Sequence, residues 1–128
     1  DVGHTPRALE AVTRTFLDFC PREKTIVVFG VSASKEITGI SRAVAARFDH
    51  FILTRAHKSG ADVALFADAF RKQSRDVTIA ADTTEAARLA KQRAQSEGLS
   101  VLALGGLFLS AEVQHAWNGG APRTLDFL

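Results

Sequence analysis

The sequence predicts an α/β fold: one domain of three layers, a mostly parallel sheet with helices on both faces. Three observations carry that expectation. Thr25–Phe29 is an unbroken apolar, β-branched run of the kind that makes a strand buried on both faces. Strand-like and helix-like segments then alternate over most of the chain, which argues for parallel strands joined by right-handed crossovers. Gly30 ends the first strand, and Val31–Ser34 turns it into an amphipathic segment. Such a strand–turn–helix unit leaves a ligand crevice beyond the strand's carboxyl end.

The elements follow in order. Thr5 suits an N-cap and Pro6 the first helical position, where a missing N–H costs nothing. Ala8, Leu9, Val12, Phe16 and Phe19 recur at helical spacing, so Pro6–Phe19 is a helix with one buried stripe, stopped by Pro21. After the strand, Ile37, Ile40, Val44, Ala45 and Phe48 mark a helix over Glu36–Phe48. Gly39 weakens it by about 1 kcal/mol relative to Ala. His50–Thr54 is a second strand, and Thr54–Gly60 a polar loop. Val63, Phe66, Ala67 and Phe70 give a helix from Ala61 to Lys72, followed by a strand over Asp76–Ala80. Asp82 with Glu85 three residues on resembles a capping box, and Gly98 closes that helix after Glu97. Leu99–Leu104 is a fourth buried strand, closed by Gly105-Gly106. Leu107–Ala116 is a last helix, and Trp117–Leu128 an irregular tail from which Leu125, Phe127 and Leu128 can dock.

The loops after Phe29, Thr54, Ala80 and Leu104 should share one rim. The loop with Asp1 and His4 joins them if a strand precedes Asp1. The chain has 128 residues, no Met, and opens directly on Asp1, so we expect a piece of something longer. Net charge is +2, with 16 basic residues interleaved among 14 acidic ones. No basic block stands out, so nucleic-acid binding has little support despite a pI near 9.0. The single Cys20 cannot form an intrachain disulfide, which points to a reducing, cytoplasmic setting. No apolar run approaches a membrane span or a signal sequence.

Gly30–Lys35 is not a phosphate-cradling loop, because the second Gly before Lys-Ser/Thr is absent. It is not a dinucleotide fingerprint either, since Gly39 comes at the wrong offset. Ser32-x-x-Lys35 matches the first motif of serine acyl enzymes, but no Ser-Asp-Asn or Lys-Thr-Gly accompanies it. The four histidines have no metal-ligand spacing, so no metal site can be assembled. His50, at a helix-to-strand turn, reads as structural. His57, between Arg55 and Lys58 on the expected rim, is a better candidate for contacting an acidic ligand, the other reading being a solvated loop. Gly105-Gly106 either lets a ligand approach the backbone or merely permits a tight turn.

In order, the chain carries Asp-x-x-His-x-Pro, a strand ending Val-Phe-Gly with a Lys a few residues on, a strand ending Leu-Thr, and Gly-Gly-Leu-Phe-Leu-x-x-Glu-Val. This series resembles the C-terminal domain of the Mur ligase superfamily, within it folylpolyglutamate synthase and dihydrofolate synthase. The resemblance implies a Rossmann-like domain at the end of a three-domain ATP-dependent ligase, 1–128 being that C-terminal domain. Such ligases activate a carboxylate as an acyl phosphate with MgATP, and an incoming amino acid, glutamate in the folate enzymes, then attacks it. The acceptor is folate-like or muropeptide-like. ATP and Mg2+ are held mainly by the N-terminal and central domains.

By the same resemblance, Asp1 matches the aspartate that meets the ATP ribose. His4 matches a histidine near the amino-acid pocket, and Lys35 a lysine at the domain interface. Arg55 and His57 would add positive charge around an anionic amino acid. Closure would shield an acyl phosphate from water. Some positions depart from the pattern: Thr5 replaces the Asn of the folate enzymes, Gly106 stands where they carry Ser, and Ser34 replaces an acidic residue. The Gly106 and Ser34 departures motivate the alternative of a stand-alone binding or interaction module that has lost ligase activity. Alone, the chain should be catalytically inert.

Overall fold

The computed structural model of the chain describes residues 6–33 and 37–121. Among these, β1 (Thr25–Phe29), β2 (His50–Leu53), β3 (Asp76–Ile79) and β4 (Ser100–Leu104) form one sheet in the order β3-β2-β1-β4. Every pairing is parallel. The helices are α1 (Pro6–Leu17), α2 (Ile37–Ala45), α3 (Ala67–Arg71), α4 (Thr83–Glu97) and α5 (Leu107–Trp117). The α/β three-layer expectation holds, with a core on each side of the sheet.

Alternation along β1 builds both cores. Val27 and Phe29 pack with Leu9 of α1, Ile40 and Val44 of α2 and Phe70 of α3. Ile26 and Val28 point the other way, toward Ala86, Ala87 and Ala90 of α4 and Leu109 and Val113 of α5. Every residue of β1 is fully buried, as a central parallel strand requires. On the first face the Phe70 ring meets Phe29 at a tilt and Phe51 edge-on, with 4.9 and 4.8 Å between centroids. Phe66 closes the cluster edge-on to Phe29 at 5.4 Å. On the second face the small alanines let α4 lie close to the sheet.

Local signals set the ends of α4. The Asp82 side chain accepts the Glu85 N–H at 2.9 Å, and Gly98 ends the helix at φ 68, where a side chain would be strained. The ladder also runs one residue past three strands. Thr54 N–H donates to the Phe29 carbonyl at 2.9 Å, Ala80 to Leu53 at 2.9 Å, and Gly30 to Leu104 at 3.3 Å. The strands therefore stop level with one another, and their following loops start from one edge.

Three expectations need correction. The helix expected over Ala61–Lys72 is broken into a 3-10 turn at Val63–Leu65 and the short α3. Asp62 caps the turn by accepting the Ala64 N–H at 3.0 Å, and Phe66, at φ −135, leaves helical geometry to seat its ring on Phe29. Phe19 was expected on the buried stripe of α1 and is 83% exposed, because the helix ends at Leu17 and position 19 no longer faces the sheet. β4 is not fully buried: only Leu102 and Leu104 are, since it ends the described sheet. Thr5, Ser34 and the tail positions Leu125, Phe127 and Leu128 lie outside the described residues. Among the described residues no helix is long and apolar enough to cross a membrane.

Candidate functional site

At the carboxyl edge of the sheet the loops are bound to one another. Gly105, at φ +120, lies so close to Gly30 that a Cβ there would overlap the Gly30 carbonyl. Gly30 in turn leaves no room for a side chain, with the Thr54 carbonyl 2.6 Å from where a Cβ would sit. The loop after β1 also zips to the loop after β2. Ser32 and Gly60 form an isolated antiparallel bridge, flanked by Ala61 N–H to the Val31 carbonyl at 2.8 Å and Ala33 N–H to the Ser59 carbonyl at 3.0 Å. Ser59 takes φ 56, an uncommon conformation for a residue with a side chain.

A buried carboxyl group holds the second loop from below. Glu112 of α5 has no exposed surface. Its Oε1 accepts the His57 N–H at 2.9 Å and the Thr83 hydroxyl at 3.0 Å, and its Oε2 accepts the Lys58 N–H at 3.1 Å. Burying a carboxyl without partners would be costly, and here three donors meet it. The loop of 55–60 is thus tied to α5 and, through Thr83, to the start of α4.

Above this anchor lies a cleft of about 160 Å³ lined by Gly30, Val31, Ser32, Ala56, Lys58, Gly60, Gly106, Phe108 and Leu109. Lys58 Nζ stands 6.0 Å from the centre of the Phe108 ring. Gly106 is the N-cap of α5 and has no side chain with which to cap it, so the positive end of the helix dipole faces the cleft. A Cβ at Gly106 would meet nothing within 4 Å. Of the two glycines, then, Gly105 serves the tight backbone contact and Gly106 opens on the cleft. A larger apolar groove of about 500 Å³ lies between α1 and Leu102 of β4, beside Phe16, Phe19 and Cys20, without converging charged groups.

Of the residues expected at the site, Arg55 and His57 fall on this one loop, and both are exposed. The Arg55 Nε donates to the Gly60 carbonyl at 3.0 Å, which folds the side chain back along its own loop. Asp1, His4 and Lys35 lie outside the described residues. Lys58, which lines the cleft, and Glu112, which fixes the loop, were not singled out from sequence. The signal for Glu112 was present: a carboxyl three residues after Leu109 and next to Val113, both buried.

His50 lies at the opposite edge, where β2 and β3 begin. Its Nδ1 is 2.6 Å from Asp76 Oδ2 and its Nε2 3.2 Å from the Glu23 carbonyl. Arg93 of α4 grips the same Asp76 with two bonds of 3.0 and 2.7 Å and also reaches Glu97 at 2.7 Å. Burial pushes the Asp76 carboxyl up, but the hydrogen bonds and charge of Arg93 and His50 outweigh it and hold the group below its usual 3.8. Glu97 is likewise held low by Arg93. Both ring nitrogens of His50 are engaged, which fits a structural clamp. Among the described residues no three His, Cys, Asp or Glu side chains come together as metal ligands.

An all-parallel sheet sandwiched by helices, with a cleft at the strands' carboxyl ends, defines a Rossmann-like α/β domain. The family model described as Mur ligase, glutamate ligase domain, matches residues 1–107. The chain belongs to that family. Its fold matches folylpolyglutamate synthase of Mycobacterium tuberculosis complexed with ADP (TM-score 0.70, 22% identity, 95% of this chain and 30% of that one). It also matches the bifunctional folylpolyglutamate synthase/dihydrofolate synthase of Yersinia pestis complexed with AMPPNP and Mn ion (0.71, 24%, 92% and 28%). UDP-N-acetylmuramate–alanine ligase of Thermotoga maritima is similar at TM-score 0.63 and 14% identity, over 93% of this chain and 25% of that one. The chain thus spans under a third of these structures. No curated protein matches the sequence.

Proposed function

We propose that this chain is the C-terminal domain of an ATP-dependent amide ligase of the Mur ligase and folylpolyglutamate synthase type. Its part is to complete the nucleotide site and to bind the incoming amino acid, glutamate in the first instance. The observation that carries the reading is the cleft at the strand ends, where one anchored loop sets Lys58 beside the positive end of α5 and carries Arg55 and His57, both exposed, on either side of Ala56 in the same loop. Those groups suit the carboxylates of an amino acid. Asp1 is assigned to ATP, and His4 and Lys35 to the same rim as Arg55 and His57.

In the reaction so assigned, an acceptor carboxylate takes the γ-phosphoryl group of ATP. The amine of the amino acid then attacks the acyl carbon, phosphate leaves, and the amine loses a proton. The chain's contribution is to hold the amine in line and to keep water from the acyl phosphate. The described residues do not fit a magnesium ion: they offer no cluster of ligands, and Glu112 is already engaged by three donors. The ion and the phosphates are assigned to the other domains of the ligase.

The test is an assay of the full-length protein with ATP, a folate or muropeptide acceptor and a panel of amino acids. The expected result is ADP and phosphate release that depends on both acceptor and amino acid. Turnover with no combination would overturn the reading in favour of a binding module without ligase activity.

A further inference from the structure

The carboxyl of Glu112 lies at the rim yet is fully buried, and its oxygens are taken up by donors of the protein itself. We propose that Glu112 is a positioning residue, whose two oxygens fix the backbone of His57 and Lys58 and so decide where the loop of 55–60 presents its cations. The inference rests on reading the cleft as the amino-acid site. Three donors converge on Glu112 from two separate segments, the loop after β2 and the first turn of α4. The anchored loop is in turn bridged to the loop after β1 through Ser59–Ala61 and Val31–Ala33. Movement of one carboxyl would therefore shift two of the four loops of the rim. Oxygen is required at both positions. The isosteric amide has only one oxygen, so its nitrogen would confront a backbone N–H whichever way it turned.

Glu112→Gln tests this without changing side-chain volume. In the full-length protein, hydrogen exchange of whichever of the His57 and Lys58 amides faces the new nitrogen should quicken by about tenfold or more, as expected when a bond to a charged acceptor is lost. The KM for the amino acid should rise at least about fivefold, while the KM for ATP stays within about twofold, because the loop and not the nucleotide site is displaced. Unchanged exchange at both amides, or equal rises in the two KM values, would overturn the proposal. If Glu112→Gln does not fold, Glu112→Asp keeps both oxygens but draws them back by one carbon from the two amides. Exchange at His57 and Lys58 should then quicken by about threefold, and no change would again overturn it. Absence of any ligase turnover in the wild-type protein would sink the proposed function, whereas the amide protons still report on Glu112. The two readings therefore fail separately.

Discussion

Gly105 and Gly30 touch backbone to backbone at the mouth of the cleft, where the turn after β4 crosses the end of β1. The contact is possible only because neither residue has a side chain, and because position 105 adopts φ +120. It brings the start of α5 against the sheet and so sets the depth of the cleft.

Gly105→Ala should therefore be severely destabilising, by about 3 kcal/mol or more, since overpacking adds to backbone strain. Gly106→Ser should behave oppositely. Its Cβ meets open space and its hydroxyl can cap α5, so stability should hold or rise by about 0.3 kcal/mol. Urea unfolding of the two variants checks both signs.

The Asp76 clamp sets an acid limit. Because the folded state holds this carboxyl below 3.8, the unfolded chain takes up the proton first. The clamp's contribution is complete above about pH 5 and fades as pH falls through the folded value. Asp76→Asn should cost about 1–2 kcal/mol at pH 7, a discounted figure for a side chain one-third exposed, and progressively less as pH falls below the usual 3.8, pH 3 included. Equal losses at the two pH values would contradict the linkage.

Ser41 on α2 is fully buried, and its hydroxyl has no hydrogen-bond partner among the described residues. Ser41→Ala removes that desolvated group and adds helix propensity. A gain of about 1 kcal/mol, seen as a Tm rise of about 3 °C, is expected. A lower Tm would mean the hydroxyl is satisfied.

Lys58→Ala, Arg55→Ala and His57→Ala keep the backbone bonds to Glu112 and remove polar side chains from the loop, in Arg55→Ala together with its bond to the Gly60 carbonyl. Each should raise the amino-acid KM of the full-length ligase, Lys58→Ala most, by about tenfold. Asp1→Ala should raise the KM for ATP, and His4→Ala and Lys35→Ala that for the amino acid. Unaltered kinetics in Asp1→Ala and His4→Ala would remove both from the site.

Local chemistry was legible in the sequence. β1 has the limits its apolar run announced, and α4 begins and ends at the cap and the glycine that were read from residue types alone. What escaped was fixed from a distance. Phe66 leaves the helix to meet rings from other elements, and periodicity over Val63–Phe70 cannot report that pull. Phe19 keeps the period of α1 beyond the point where the helix stops. Lys58 and Glu112 are 54 residues apart, so their bond exists only once the crossovers are made. The motif that carried the family resemblance contains Glu112, yet its role is visible only from the donors folded around it.

The His50–Asp76–Arg93 clamp and the Lys58 loop occupy opposite poles of the sheet, a consequence of strands that all run the same way. Selection can therefore rewrite the ligand-facing pole while the other keeps the scaffold standing. Descendants of such a scaffold are free to exchange substrates without renegotiating how they endure heat or acid.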